Sequence, residues 1–290
     1  MKNDLHIRTN FSASADKNLE YTKVLQMCEN KKLKRISITD FDTCIFHAIN
    51  KIVDTSKIYS GQIITGMECD VCEQGITFEL LAYNFDPIKT LVWSYQTYGS
   101  LETRQTKIKD ALLDIAKENN IKVDTTTPYN GKVDFAHKYI YENMLKVKQN
   151  DAFFKKYSIT NLTDFYNLST KQKDFPLYLD MGKIWPSTKQ VVDFIHSAGG
   201  FVVLAQPCKS KNKDNLNFLL KNALQNGVDG IEVYHPTHSK EDIQFLLDFA
   251  HKNNLIITGG SNFNGKEPTN TLGIQNIDEN ETEILNNVVL

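Results

Sequence analysis

Short apolar runs with the character of β-strands alternate with stretches of helical spacing along most of this chain. Continuous apolar strands flanked by amphipathic helices are typical of a largely parallel sheet whose two faces are both covered. The pattern therefore predicts an α/β fold in the form of a closed or nearly closed barrel. The predicted strands are residues 5–7, 35–40, 62–68, 76–83, 201–205, 230–234 and 255–258.

The middle of the chain interrupts this alternation. From about residue 87 the sequence becomes helical in spacing, lysine-rich and aromatic, and the strand-like runs return after residue 184. We therefore expect a barrel formed by residues 1–86 and 185–290, with an inserted and mainly helical subdomain at residues 87–184. The helices predicted in the insertion cover residues 101–119 and 135–145.

Two helix starts in the last third of the chain carry a local signal. Ser187 is followed three residues later by Gln190, and Ser239 by Asp242. In a capping box the first side chain accepts from a backbone N–H while the second returns the contact. Both pairs predict the first turn of a helix.

The composition excludes several classes of protein. With 41% hydrophobic and 23% charged residues the chain resembles an ordinary globular protein. A formal net charge of -2 gives no indication of a nucleic acid or membrane partner. No apolar run approaches the roughly 18–20 residues of a membrane span. The first residues show no apolar signal core, so we expect a cytoplasmic protein.

The chain has five cysteines, and an odd count without a secretion signal favours thiols over disulfides. Cys69 and Cys72 have C-x-x-C spacing, which zinc sites and thioredoxin-type redox sites share. There is no second C-x-x-C pair. We therefore expect buried or strand thiols at these two positions.

Polar residues stand where the predicted strands end. In α/β barrels the chemistry lies at the C-terminal ends of the strands, because the loops that follow them meet at one face. These positions are the first candidates for a functional site. They are His6, Asp40, Glu68, Gln206, His235, His238 and Asn262.

Several segments, in this order, resemble motifs of the PHP (polymerase and histidinol phosphatase) family, in its small metal-dependent phosphoesterase branch. The resemblance implies a distorted (β/α)7 barrel of PHP type that carries a helical insertion. It also implies hydrolysis of phosphate esters at a site of two or three divalent metals. The segments are residues 4–9 (DLHIRT), 38–43 (ITDFDT), 66–68 (GME), 198–207 (AGGFVVLAQP), 232–239 (EVYHPTHS) and 258–265 (TGGSNFNG).

The histidines and aspartates expected at that site are mostly replaced. Arg8 stands where the second histidine of an H-x-H motif belongs, and Phe41 where the histidine of D-H-D belongs. At the family's A-H-P motif this chain has Gln206 in place of the histidine. At the final D-F-H motif it has Asn262 in place of the aspartate and Asn264 in place of the histidine.

The remaining positions of the family pattern are mixed. Glu68 and His238 are kept, whereas Ala13 follows Ser12 where an aspartate is expected. Two further histidines of the family align more loosely with Glu79 and Asp134.

These changes imply a degenerate metal site. Hydrolysis by clustered metals needs carboxylates to balance the cations and imidazoles to fix their geometry. Arg8 cannot ligate a metal and places a permanent positive charge where a cation would sit. We expect no metal, or one weakly bound divalent ion such as Mn, Fe or Zn. The residual ligands for such an ion would be His6, Glu68, Asp134 and His238.

The same positions suit an anion, because arginine binds phosphate through two N–H groups and amides add neutral donors. The expected partner is a phosphorylated small molecule or a nucleotide. The predicted phosphate-binding residues are Arg8, Gln206, His238, Asn262 and Asn264.

Some candidates also have structural interpretations. Glu68 is expected to form an ion pair with Arg8 rather than hold a metal, because the pair satisfies both charges. His238 stays open between a ligand and a loop residue near a helix start. The other structural roles predicted are helix capping by Asp40 and Asp42, loop formation by His235, a solvent-facing His137, and a solvated basic loop at Lys209 and Lys211.

The primary prediction is a PHP-family homologue that is catalytically impaired and binds a phosphate-containing ligand in the old active site. Two alternatives remain open. One is an active metal-dependent phosphoesterase with a reduced site, acting on nucleotides or phosphomonoesters. The other is a non-catalytic protein-interaction module in which the helical insertion binds a partner.

Overall fold

The computed structural model describes residues 3–12, 15–209, 212–266 and 271–273. These residues divide into two compact units. The first unit comprises Met1–Val71, Phe78–Ser94 and Ser187–Leu290, and the second comprises Cys72–Thr77 and Tyr95–Pro186.

The described residues form eight β-strands and ten α-helices. The strands are β1 Asn3–Ile7, β2 Arg35–Ile38, β3 Gln62–Ile64, β4 Gly66–Glu73, β5 Ile76–Tyr83, β6 Phe201–Leu204, β7 Gly230–Tyr234 and β8 Ile256–Gly259. The helices are α1 Tyr21–Asn30, α2 Ile45–Asn50, α3 Pro87–Tyr98, α4 Leu101–Glu118, α5 Ala136–Leu145, α6 Asp151–Lys156, α7 Leu162–Lys171, α8 Thr188–Ser197, α9 Leu216–Gln225 and α10 Lys240–Lys252.

The strands of the first unit form two sheets. One sheet has the order β1-β2-β3 and is parallel throughout. The other has the order β4-β5-β6-β7-β8, in which β6, β7 and β8 pair in parallel but β5 and β6 pair antiparallel. The α/β architecture predicted from the alternation is confirmed. A single closed barrel is not found among the described strands.

Two isolated parallel bridges link the edges of these sheets. Ile7 at the end of β1 pairs with Phe263 beyond β8, and Phe41 beyond β2 pairs with Glu68 in β4. Backbone hydrogen bonds from Arg8 N to the Phe263 carbonyl (2.8 Å) and from Asp42 N to the Glu68 carbonyl (2.7 Å) support them. The C-terminal ends of β1, β2 and β8 are therefore held together with the start of β4.

One predicted strand proved to be two. The run predicted at residues 62–68 divides between β3 and β4, and β4 continues to Glu73. It then turns into β5 through Gln74 and Gly75, whose φ angles are 53° and 86°. Two consecutive positive φ angles belong to the tight turns that join antiparallel strands, and glycine adopts them without strain.

Helices cover the sheets of the first unit with apolar faces of 3.6-residue spacing. Val24, Leu25 and Cys28 of α1 are buried in a core cluster with Ile7 and Ile36 of the first sheet. Helices α8 and α9 pack on β6, while α10 packs on β7 and β8. Both predicted capping boxes, at the starts of α8 and α10, are present.

The second unit has its own apolar core. Helix α4 packs against α5, and α5 packs against α7. Leu112, Ile140 and Phe165 are fully buried in one cluster. Ser100 caps α4 and Asn161 caps α7, each accepting from a backbone N–H of the first turn.

The prediction that His137 of α5 faces solvent was wrong. Its side chain is buried against the rings of Phe135, Phe165 and Tyr166. Neither ring nitrogen has a hydrogen-bond partner among the described residues. Burial therefore lowers the pKa of His137 to about 4.

All five cysteines are buried thiols, as expected from their odd count. Cys69 and Cys72 lie in strand β4, so the C-x-x-C spacing belongs to a strand and not to a helix start. No helix among the described residues is both long enough and apolar enough to cross a membrane.

Candidate functional site

The site begins at the end of β1, where His6 and Arg8 are both buried. The chain beyond β8 passes directly against this strand. A Cβ atom at Gly260 would lie 2.3 Å from Cβ of His6, so only glycine allows this approach. Asp4 fixes the same contact by accepting from Ser261 N at 2.9 Å.

Arg8 forms the predicted ion pair with Glu68. Its Nε and Nη2 atoms donate to one carboxylate oxygen, Oε2, at 2.9 and 2.5 Å. The guanidinium carbon lies 4.4 Å from the ring centroid of Phe41, within the range of a cation–π contact. The structure thus brings into contact Arg8 and Phe41, the two residues expected from the sequence to stand in place of histidines.

His6 lies between two carboxylates. Its Nδ1 is 2.8 Å from Glu232 Oε1, and its Nε2 is 3.2 Å from Glu68 Oε2. Burial alone lowers the pKa of His6, but the charges of Glu232 and Glu68 outweigh that effect and raise it to about 9. Burial likewise raises the pKa of Glu68, but Arg8 and His6 outweigh it and hold the value at about 2. The cluster therefore contains two cations, Arg8 and His6, opposite two anions, Glu68 and Glu232.

Gln206 joins this cluster through its amide. The side-chain Nε2 donates to Glu68 Oε1 and to Glu79 Oε2, each at 3.3 Å, and the backbone N donates to Glu232 Oε2 at 2.8 Å. Lys209 Nζ donates to the amide oxygen at 3.2 Å. The backbone of Gln206 has a φ of 37°, in the left-handed region that few non-glycine residues adopt.

The prediction that Asp40 and Asp42 cap the following helix was wrong. Asp40 accepts from the backbone N and the hydroxyl of Thr9, at 2.6 and 2.7 Å, so it holds the loop beyond β1. Burial raises the pKa of Asp40 to about 7. Asp42 accepts from Asp70 N at 2.8 Å in β4, and the N-cap residue of α2 is Cys44, which makes no side-chain cap.

His235 and His238 follow β7 and are buried, with 3% and 4% of their surface exposed. Their ring centroids are 5.3 Å apart, and the ring of His235 is 6.1 Å from that of His6. Nδ1 of His238 lies 2.8 Å from the Val233 carbonyl, and Nδ1 of His235 contacts Thr237. The Nε2 atom of each ring has no hydrogen-bond partner among the described residues.

The other predicted ligands lie around this cluster or in the second unit. Asn262 and Asn264 are buried beyond β8, next to the backbone contact between Arg8 and Phe263. The Asn264 side-chain oxygen accepts from Lys266 N at 2.9 Å. Asp134 belongs to the second unit, where it accepts from Asn130 N at 2.8 Å. Ala13 and Lys211 lie outside the described residues.

Sequence reasoning missed Glu232, and it named His235 as a candidate but favoured a loop role for it over a ligand role. Glu232 is a fully buried carboxylate in the middle of the apolar strand β7. That position was the available signal, because a buried carboxylate requires a charged or hydrogen-bonding partner.

The donor atoms of the cluster suit one metal ion but not several. Glu232, His6 and His235 each offer one ligand atom within 4.8 Å of the other two, and imidazole and carboxylate ligands suit one divalent ion such as zinc or manganese. A centre of two or three ions does not fit. The Arg8 guanidinium binds Glu68 Oε2, and the Gln206 amide binds both Glu68 Oε1 and Glu79 Oε2, so both oxygens of Glu68 already have donors.

Two relatives of known description match this chain. A phosphoribosyl 1,2-cyclic phosphate 1,2-diphosphodiesterase of Eggerthella lenta is 33% identical over 78 residues, which is 27% of this chain and 28% of that protein. A 5'-3' exoribonuclease of Haemophilus influenzae is 24% identical over 90% of this chain and 89% of its own length. No family model matches the sequence.

Solved structures resemble the whole chain. A candidate metal-dependent phosphoesterase of Bifidobacterium adolescentis is 20% identical with a TM-score of 0.58, over 98% of this chain and 95% of its own. An amidohydrolase of Chromobacterium violaceum, solved with bound sulfate and no metal, is 16% identical with a TM-score of 0.65, over 99% and 96% of the two chains. At these identities the likeness establishes a shared fold. Together the comparisons confirm the resemblance to PHP-like metal-dependent phosphoesterases.

Proposed function

We propose that this chain is a PHP-type phosphoesterase homologue that binds a phosphate-containing ligand, such as a nucleotide, with little or no hydrolysis. The observation that carries the proposal is the Arg8–Glu68 pair. In a metal-dependent site this carboxylate would neutralise cations, whereas here its Oε2 receives two N–H groups of an arginine. Arg8 then acts as an internal cation that needs no metal.

The contacts of Arg8 leave part of its guanidinium for a ligand. Nε and Nη2 face Glu68 and His6, and no hydrogen bond of Nη1 is found among the described residues. Arginine presents five N–H donors in a fixed plane that matches phosphate oxygens. The Nη1 edge can therefore receive a phosphate oxygen while the ion pair persists.

The other residues proposed to bind phosphate differ in the contacts that they already make. Gln206 donates both its amide hydrogens toward carboxylates, so it would bind phosphate only after rearrangement. Lys209 at the amide oxygen supplies a further, half-buried positive charge. Asn262 and Asn264 remain proposed neutral donors in the loop beside Arg8.

A second candidate function is supported by the three donors His6, Glu232 and His235. Such a set could hold one divalent ion, which would supply a Lewis acid and an activated water when bound. The chain would then be a weak phosphoesterase with a reduced, one-metal site. The same set differs from the one predicted from the sequence, since it contains Glu232 and His235 in place of Glu68, Asp134 and His238.

The two functions are separated by measuring phosphate binding and phosphate release in EDTA and in excess manganese. Metal-independent binding of inorganic phosphate or AMP, with phosphate release near background in both conditions, supports the first function. Release of phosphate that requires manganese and is lost in Glu232→Gln supports the second and contradicts the first.

A further inference from the structure

A groove of about 510 Å³ lies between α1 and the described residues that follow β8. One wall is formed by Lys23, Met27 and Lys31, which are four residues apart and therefore share one face of the helix. The other wall contains Phe263 and Leu272. We propose that this α1 groove is the docking site of residues 279–290 of the same chain.

The floor of the α1 groove is apolar and continuous with the core. Leu19, Phe263 and Leu272 are buried in the same cluster as Val24 of α1. The side chain of Met27 is half-buried and packs against this cluster. A groove of this volume accepts a drug-sized ligand or the apolar side chains of one helix face. Because apolar surface is unfavourable in water, the occupant should have an apolar side.

Two lysines make the rim of the α1 groove positive. Lys23 and Lys31 are exposed, and no hydrogen bond or ion pair of either ammonium group is found in the described part of the chain. The one acidic side chain that lines the groove, Asp16, accepts from the backbone N–H of Asn18 at 2.9 Å. The occupant should therefore also carry negative charge.

The sequence beyond residue 273 has both properties. Ile284 and Leu285 are each followed by a valine four residues later, which is the spacing of the apolar anchors of a helix in a groove. Residues 274–290 also contain acidic side chains at positions 278, 279, 281 and 283, and no lysine or arginine. The segment complements the groove in hydrophobicity and in charge.

The described chain reaches residue 273 beside this groove. Thr271 and Leu272 line it, and Gly273 N donates to Asp4 Oδ2 at 2.8 Å. The other oxygen of Asp4 accepts from Ser261 N at 2.9 Å. One buried carboxylate thus fixes both ends of residues 261–273, and holds the start of the following segment at the groove.

The length of the segment matches the groove. Residues 274–278 can span up to about 18 Å as an extended connection. Twelve residues in a helix are about 18 Å long, against about 15 Å for the ten residues of α1. A short connection also keeps the effective concentration of the segment in the millimolar range, so modest contacts are enough for docking.

The α1 groove adjoins the loop that carries two proposed phosphate contacts. Phe263 and Gly265 line the groove, and they alternate along the chain with Asn262 and Asn264. A segment in the groove contacts this loop, so docking should hold its backbone in place. The docking itself does not depend on whether phosphate binds.

The test is hydrogen–deuterium exchange of the whole chain, read by mass spectrometry, with a synthetic peptide of residues 274–290 as the unprotected reference. We expect the amides of residues 279–290 to exchange at least about tenfold more slowly in the protein than in the peptide, because docking must open before they exchange. Exchange at the rate of the free peptide would overturn the proposal.

Charge reversal tests the rim of the groove. In Lys23→Glu/Lys31→Glu the exchange of residues 279–290 should become about tenfold faster, since two attractive pairs become repulsive. Lys57→Glu, at an exposed lysine outside the groove, is the matched control and should stay within about twofold of the wild type. Equal protection in the wild type and in the charge-reversed variant would overturn the proposal.

A rescue separates lost docking from lost folding. Lysine at positions 278, 279, 281 and 283 should restore protection in the charge-reversed variant to within about twofold, and should reduce it in the wild type. Amides of β7 report the fold and should exchange at the same rate in every variant. Failure of the rescue with β7 still protected would contradict the charge match.

A last variant tests the apolar floor and the identity of the docked copy. Met27→Glu places a charge on the floor and should raise exchange of residues 279–290 about tenfold or more. Unchanged protection in this variant would overturn the proposal. Protection that increases with protein concentration, together with a dimer in light scattering, would mean that the segment enters the groove of a second copy, and would overturn docking within one chain.

Discussion

The guanidinium of Arg8 donates through Nε and Nη2 to a single oxygen of Glu68, at 2.9 and 2.5 Å, in a fully buried environment. The same oxygen lies 3.2 Å from Nε2 of His6. One carboxylate oxygen is thus shared by two cationic side chains. This relationship explains why Glu68 can remain ionised in the interior without any bound cation.

Removal of Arg8 should destabilise the fold. In Arg8→Ala the buried Glu68 keeps only His6 and the Gln206 amide, and breaking a buried ion pair costs about 3–5 kcal/mol in the free energy of unfolding. The double variant Arg8→Ala/Glu68→Gln should lose less than the sum of the two single variants, because no unpaired charge is left. Urea denaturation measures both. Lys57→Ala, which removes an exposed cation, is the control and should change stability by no more than about 0.5 kcal/mol. If Arg8→Ala also lowered the free energy of unfolding by no more than about 0.5 kcal/mol, the Arg8–Glu68 pair would contribute nothing to stability.

His137 should make the protein sensitive to acid. Its pKa is lowered from 6.5 to about 4 in the folded state. Between these two values the unfolded chain binds a proton at His137 and the folded chain does not, so acid lowers the free energy of unfolding. The penalty is absent above pH 6.5, grows as the pH falls, and reaches about 3 kcal/mol near pH 4. Because the ring has no hydrogen-bond partner in the described part of the chain, His137→Phe should remove this penalty and flatten the loss of stability between pH 6.5 and 4.

The check is a series of urea denaturation curves at pH 7, 6, 5 and 4 for the wild type and His137→Phe. His251→Phe, at an exposed position near the end of α10, is the control and should follow the wild type. If His137→Phe loses stability with acid as steeply as the wild type, the ring is not held neutral by burial.

The chain should hold well under one equivalent of tightly bound manganese, iron or zinc when purified without chelators. Arg8→His should not raise this content, because Phe41, Asn262 and Asn264 still lack the ligand chemistry of the PHP pattern. Elemental analysis by mass spectrometry gives the count. Any ion present below one equivalent should be lost in Glu232→Gln but kept in Asp134→Asn, since only Glu232 lies in the three-donor set. Two or more metals per wild-type chain would contradict this prediction.

Hydrolysis should stay near background even with excess manganese. Too few ligands surround Glu68 to hold an activated water and clamp the phosphoryl oxygens together. Phosphate release from AMP and p-nitrophenyl phosphate measures it. Turnover in the ordinary enzyme range of about 1–10³ s⁻¹, abolished by Glu68→Ala, would refute the prediction.

Local signals in the sequence predicted local structure well. The capping boxes of Ser187 and Ser239 were found because each lies within three residues of its partner. Strand direction was not found: β5 runs antiparallel to β6, and the apolar spacing of a strand is the same in either direction.

Within the candidate site, the sequence predicted contacts correctly where a buried charge requires an opposite charge. The Arg8–Glu68 pair followed from that rule, whereas Asp40 was assigned to a nearby helix and in fact accepts from Thr9, 31 residues earlier. The burial of His137 was missed because two of the rings that cover it, Phe165 and Tyr166, belong to α7, far along the chain. Contacts between distant segments of the chain leave no periodic signal.

We propose that Arg8 receives a phosphate at the place where the PHP pattern predicts a metal site. The most direct test is calorimetric titration of inorganic phosphate into the wild type, Arg8→Gln and Arg8→Lys in EDTA, at a temperature where all three are folded. We predict binding by the wild type without metal, a loss of about tenfold or more in Arg8→Gln, and partial retention in Arg8→Lys, which keeps the charge but not the fork of N–H donors. Phosphate binding that appears only when manganese is added, or that is equal in the wild type and Arg8→Gln, would contradict the account.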